Sequence, residues 1–139
     1  MSTARVRQAL ETALATWAAA QSPAIPIAYE NLPFSPPTTR YLRAFLLPAR
    51  TRSLGLDRKH RSYAGIFQVS ICVPTGAGPG AALALADALA TVYAPSTPLT
   101  AAGLKVVLTE PSTPGPALQE PGWHVLPVSV PYQADTVVA

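Results

Sequence analysis

The side chains able to do chemistry are few and far apart in this 139-residue chain. The two histidines are His60, in a base-rich stretch, and His124, in a run of alternating apolar residues. To work as a general base, either needs a nucleophile and an orienting acid beside it. The seven acids, Glu11, Glu30, Asp57, Asp87, Glu110, Glu120 and Asp135, are scattered, and no two form an acid/base motif. The histidines therefore read as a solvated loop residue and a half-buried strand residue. Cys72 lies between Ile71 and Val73 with no charge nearby in sequence to lower its pKa, so it reads as a packed thiol. A single cysteine allows no intrachain disulfide, and with two histidines it gives too few soft ligands for zinc. No catalytic, cofactor or metal residues are expected, and the chain does not read as an enzyme.

Two further features carry a possible chemistry. Residues 76–80, GAGPG, follow a strand pattern and open a helix pattern, which is the setting of a phosphate loop. They lack the GK[ST] lysine, and Ala81 stands where the last glycine of GxGxxG belongs, so they read as a turn. Charge is more informative. The net charge is +3, but seven of the ten bases lie between Arg40 and Arg61, opposed there by Asp57 alone. Such a run can neutralise phosphates. No aromatic residue is interleaved between Pro48 and Ser62 to stack on bases. The favoured reading is a protein-contacting arm carrying Arg50, Arg52, Arg58, Lys59, His60 and Arg61, with a small nucleic-acid-binding module as an alternative.

The elements that must position these residues follow from periodicity. Val6, Leu10, Ala13, Leu14 and Trp17 form one stripe of a helix over 3–20, with Trp17 expected in the core. Residues 24–30 read as a short strand that is at an edge or has Pro26 at an unpaired position, because Pro26 cannot donate to a ladder. Residues 40–47 read as a strand apolar on both faces, either central or pressed against a second subunit. Residues 48–62 read as a long basic, mobile loop. Residues 63–73 are the clearest strand, with Phe67 on its buried face. A second helix is expected over 79–94, on the stripe Ala82, Leu85, Ala86, Leu89 and Tyr93. A strand over 104–109, a proline-rich loop and a last strand over 123–133 complete the chain, Pro127 and Pro131 implying an edge or a bulge. The expected fold is α+β, one domain over 1–139, in the order α-β-β-β-α-β-β. Its sheet is mostly antiparallel, with both helices on one face.

Composition narrows the class further. Hydrophobic residues make up 49% and charged residues 12%, which excludes a disordered tail. Prolines number 16, which points to rigid, punctuated loops. No apolar run is long enough for a membrane span, and the N-terminal residues do not read as a signal peptide. A cytoplasmic protein with no membrane partner is expected.

The stretch from Pro26 to Gly80 carries a resemblance. PIAYENLPFSPP, then YLRAFLLPA, then RKHRSYAGIFQVSICVPTGAG resemble the small tail terminator (tail completion) proteins of phages and prophages, of the lambda type. In that family a helix with a tryptophan precedes an N-x-P-F-x-P-P loop, a strand ending LLPA, a glycine-opened strand and a P-x-G-x-G turn. Those positions are Trp17, Asn31, Pro33, Phe34, Pro36, Pro37, Pro48, Gly65, Pro74, Gly76 and Gly78 here. A closing W-x-V-P-V-x-V-x-Y pattern is approached by Trp123, Val125, Pro127, Val128, Val130 and Tyr132, with Leu126 extra. The resemblance implies a structural subunit without cofactor that assembles into a hexameric ring. The ring caps the tail tube and presents a surface to the head connector. It implies assembly in the host cytoplasm and a place at the head-proximal end of the virion tail. The implied partners are further copies of the chain, the tail-tube protein and the head-connector protein. Nucleic acid enters only as DNA passing through the ring. Neck or head–tail joining proteins of the same phages are the alternative within this class.

Overall fold

The computed structural model describes residues 2–21, 24–30, 33–35, 39–54, 60–76, 78–95, 99–101 and 104–137. Its elements are α1 (Ser2–Ala19), β1 (Ile27–Tyr29), β2 (Tyr41–Leu54), β3 (His60–Pro74), α2 (Gly80–Val92), β4 (Leu99–Ala101), β5 (Leu104–Leu108), β6 (Thr113–Pro114), β7 (Leu118–Glu120) and β8 (Trp123–Val137). The expected order holds for the principal elements, and the fold is α+β. The additions are three short strands, β4, β6 and β7, the last two inside the expected proline-rich loop.

One sheet runs in the order β1-β2-β3-β8-β5-β4, with β6 and β7 also pairing with β8. Among the described residues only the β1–β2 pair is parallel. Its centre is β3 against β8, in unbroken register from His60↔Val137 to Pro74↔Trp123. Strand alternation sends Phe67, Val69, Ile71 and Val73 of β3 to the same face as Val128, Val130 and Tyr132 of β8. Both helices lie on that face. Val6, Leu10 and Leu14 of α1 and Ala82, Leu85 and Leu89 of α2 complete one buried core. Tyr93, just past α2, is fully buried, and its hydroxyl donates to the Leu10 carbonyl at 2.8 Å. That bond satisfies the polar tip of a buried ring and ties the two helices together.

Three expectations are corrected. The first concerns residues 48–62, read as a loop. Residues 48–54 continue β2 and residues 60–62 begin β3, paired as a hairpin through Leu54↔His60. Residues 55–59 lie outside the described residues, and the mobility expected of the segment is carried by no observation. Polarity hid the ladder, because the sequence PARTRSL and HRS shows no alternation of apolar and polar residues.

The second concerns Pro127 and Pro131, which mark neither an edge strand nor a bulge, since β8 is central. Their carbonyls accept from Gly115 N–H at 2.7 Å and Thr109 N–H at 3.3 Å, on the side away from β3. In an antiparallel strand a residue's nitrogen and carbonyl point the same way, so the missing N–H groups also face that side. There the partner is broken into β5, β6 and β7, and the two prolines fall in the gaps between them. The register shift lies instead in β2, between Pro48 and Thr51.

The third concerns Trp17, which is half-buried and packs against the core without entering it. Phe67, by contrast, is fully buried as expected. The expectation for β2 stands: it lies between β1 and β3 with apolar residues on both faces, and the two faces differ in cover. Leu42, Ala44 and Leu46 lie under the helices, whereas Leu47 on the other face is exposed.

Candidate protein interaction surface

The face of the sheet opposite the helices is where the sequence motifs converge. The register aligns its side chains in rows across β2, β3 and β8. These are Tyr41, Cys72 and Val125; Arg43, Ser70 and Pro127; Phe45, Gln68 and Ser129; and Leu47, Ile66 and Pro131. The first row is covered. Phe34, from the N-x-P-F-x-P-P loop, packs on Tyr41 with ring centroids 5.2 Å apart, and Trp123 meets Tyr41 edge-on at 4.8 Å. These rings close a small second core around Tyr41, Cys72 and Val125. Arg43 reaches from β2 to Glu120 of β7 and donates to its carboxylate at 2.9 Å. It thereby spans β3 and β8 and clamps the same end. Burial opposes the Arg43 charge, but the hydrogen bond to Glu120 and the charges of the neighbouring groups together outweigh it and raise its affinity for the proton.

The far end of the face is bare. Leu47 is 49% exposed, Ile66 39% and Val107 of β5 41%. Val107 is level with Gln133, which is level with Ala64, so it continues the same surface. Contiguous exposed apolar side chains of this kind mark interaction sites more than solvent faces.

Glycine positions separate into two kinds. At Gly65 an added Cβ would sit 2.5 Å from the Leu47 carbonyl oxygen and 2.7 Å from the Tyr132 hydroxyl, so the requirement is space. Gly76 and Gly78 have φ of +93° and +77° with nothing near an added Cβ, so there the requirement is backbone conformation. Both motif glycines serve the turn between β3 and α2. Pro33 is exposed beside Phe34. Asn31, Pro36 and Pro37 lie outside the described residues.

The basic residues are placed as follows. Arg50 and Arg52 belong to β2, and His60 and Arg61 begin β3, so the hairpin brings these four together at one end of the sheet. Arg58 and Lys59 lie outside the described residues. Arg43 belongs to the clamp, not to this end.

Among the described residues the arrangement brings together no nucleophile, base and orienting acid. Cys72 is buried, and burial pushes its thiol pKa up, against thiolate formation. His124 lines a depression of about 280 Å³ with Pro74, Thr75, Gly76, Gly78, Pro79 and Gln119, which include one hydroxyl, that of Thr75, and no acid to orient the imidazole. Among the described residues no cluster of three or more metal-ligating side chains occurs, and no helix is long and apolar enough to cross a membrane. Sequence reasoning missed Val107 and Ile66 as surface residues. The available signal was an apolar residue on the mixed face of each strand, which one strand alone cannot place.

A model of the family described as phage tail terminator protein matches residues 5–132. A solved structure that carries no functional name is similar over nearly its whole length. It is 35% identical, superposes with a TM-score of 0.81, and the match covers 96% of each chain. No curated protein matches the sequence. The match spans the tryptophan helix, the aromatic lid and the glycine turn together, and with it the chain belongs to the phage tail terminator family, structural proteins of the virion tail.

Proposed function

We propose that the chain is the subunit of a hexameric ring that caps the head-proximal end of the tail tube. The ring stops tube polymerisation, offers the head connector its docking surface and lets DNA pass through its centre. The observation that carries this reading is the family match over 5–132, joined to a sheet whose motif-bearing face is half lidded and half bare. A terminator has to bind one end of a tube without copying the tube's own docking surface. A ring closed by heterologous contacts does this, because each subunit uses one patch towards one neighbour and a different patch towards the next. The tail-tube and head-connector proteins are the partners in this reading.

Deletion of the gene from its phage or prophage, followed by electron microscopy of the particles, tests the proposal. Overlong tubes of irregular length, shortened again by supplying the chain in trans, are the expected result. Tails of normal length that fail to join heads would instead make the chain a neck or joining protein.

A further inference from the structure

Strand β7 has a slight hold on the rest of the molecule. Its ladder to β8 is three residues long, Leu118↔Val125, Gln119↔His124 and Glu120↔Trp123. By contrast, β3 and β8 pair over their full fifteen residues. Leu118 is 54% exposed and Gln119 is exposed too, so Glu120, through its bond to Arg43, is the side chain that anchors the strand. Both flanks of the segment are pinned by backbone. Gly115 N–H donates to the Pro127 carbonyl at 2.7 Å, and Thr75 N–H donates to the Gly122 carbonyl at 3.2 Å. Gly122, at φ +79°, makes the sharp bend into β8. Between the pins run residues 116–121, and Pro116 and Pro121 at their two ends have no N–H to add to the ladder.

The one ion pair across this gap is weak by its surroundings. The Arg43 and Glu120 side chains are 27% and 39% exposed. Pairs this open gain little, because solvent screens them and two long side chains must be held still. Arg43 Nε is also buried without a hydrogen-bond partner, which costs free energy in the closed arrangement. Beneath the pair lies the second core. Cys72 has no solvent exposure, and the charges of Arg43 and Glu120 both act on its thiol. Parts of a fold with short ladders and few buried anchors open locally, well below the cost of global unfolding. We infer that residues 116–121 are a strap that lifts from β8 as one unit, parting Glu120 from Arg43 and opening the second core while the rest of the sheet stays folded. Lifting bares the outer edge of β8 from Trp123 to Val125, so the lidded end of the sheet has a closed and an open form.

The single cysteine makes the opening measurable. Purified full-length chain is treated with methyl methanethiosulfonate, a small neutral thiol reagent, across a urea series below the unfolding midpoint, and Cys72 modification is followed by mass spectrometry. The wild-type rate should barely change with urea, because denaturant sensitivity scales with the surface exposed and the strap exposes little. Glu120→Ala should raise the rate about two- to fivefold, the worth of a half-exposed ion pair. Salt at about 1 M, which screens charges beyond about 3 Å, should speed wild type by a similar factor and leave Glu120→Ala unchanged. Amide exchange in β7 should show the same weak urea dependence, while Val69 and Val128 follow global unfolding. Should Glu120→Ala fail to fold, Glu120→Gln and the wild-type salt series decide. Modification that follows the steep urea dependence of global unfolding would overturn the strap, as would a variant rate equal to wild type. Faster labelling with unchanged β7 amide exchange is an effect on thiol acidity and also overturns it. So does acceleration by Phe34→Ala without any by Glu120→Ala, which places the opening on the other side of the second core.

Discussion

The two faces of the sheet are built from the same strands and differ in what covers them. Under the helices, Phe67, Val69, Val128 and Val130 have no solvent exposure. On the other face, one row lies beneath Phe34 and Trp123 and the next rows grade outward to Leu47 and Ile66. Burial on the first face is a matter of folding, since helix and strand belong to one chain. Burial on the second is complete only where the N-x-P-F-x-P-P loop reaches. The difference separates residues kept for stability from residues available to a partner, and substitutions on the two faces test the separation directly.

The largest effect is expected under the helices. Phe67 has no exposure and packs against Tyr93 at 5.9 Å. Phe67→Ala should cost about 3–5 kcal/mol, the range for a fully buried aromatic, measured by denaturant unfolding. A cost below about 1 kcal/mol would mean that this face is no more a core than the other.

Gly65 comes next, at the border where β2 bulges over β3. Gly65→Ala brings a methyl group against the Leu47 carbonyl and the Pro48 Cα, both backbone, which cannot swing aside as a side chain can. A loss at the upper end of about 1–3 kcal/mol is expected. A neutral Gly65→Ala would show that the hairpin shifts freely against β3 at this point.

Trp123 tests the lidded half of the open face. It is half-buried, and its edge contact with Tyr41 is shared with Phe34. Trp123→Ala should cost about 1–2 kcal/mol, less than the roughly 3–5 of a ring with no exposure. A loss equal to that of Phe67→Ala would make the lid a core in its own right.

How far the sequence could be read follows the same division. The helix-covered face was legible because Leu10, Leu14, Leu85 and Leu89 keep helical spacing while Phe67, Val69 and Ile71 alternate. Polarity concealed the other elements. Residues 48–54 and 60–62 are strand without an apolar face, and β8 carries Pro127 and Pro131 at positions whose missing N–H groups matter only once the broken β5-β6-β7 partner is known. The turn glycines Gly76 and Gly78 were recognised by motif, and their positive φ supplies the reason. The aromatic lid was half legible. Phe34 and Trp123 both stood in motifs, but 88 intervening positions separate them, and only the β3–β8 register brings Trp123 to the row of Tyr41.

The smallest effect on stability is expected at the bare end, and there the comparison is sharpest. Ile66 faces outward between Leu47 and Pro131 in the same row. Replacing an exposed side chain away from special features usually changes stability within about 0.5 kcal/mol. Ile66→Lys should therefore leave the melting curve nearly unchanged. Isoleucine suits a strand better than lysine, but that preference spans only about 1 kcal/mol over the whole scale and shrinks on an unpacked surface. If the bare end exists for a partner, the same substitution should abolish tail completion when the variant replaces the wild-type chain. Stability and function then part company at one residue, as they cannot at Phe67. An Ile66→Lys chain that melts early places this row in the core of the isolated subunit, and one that completes tails normally makes the exposed row a plain solvent surface.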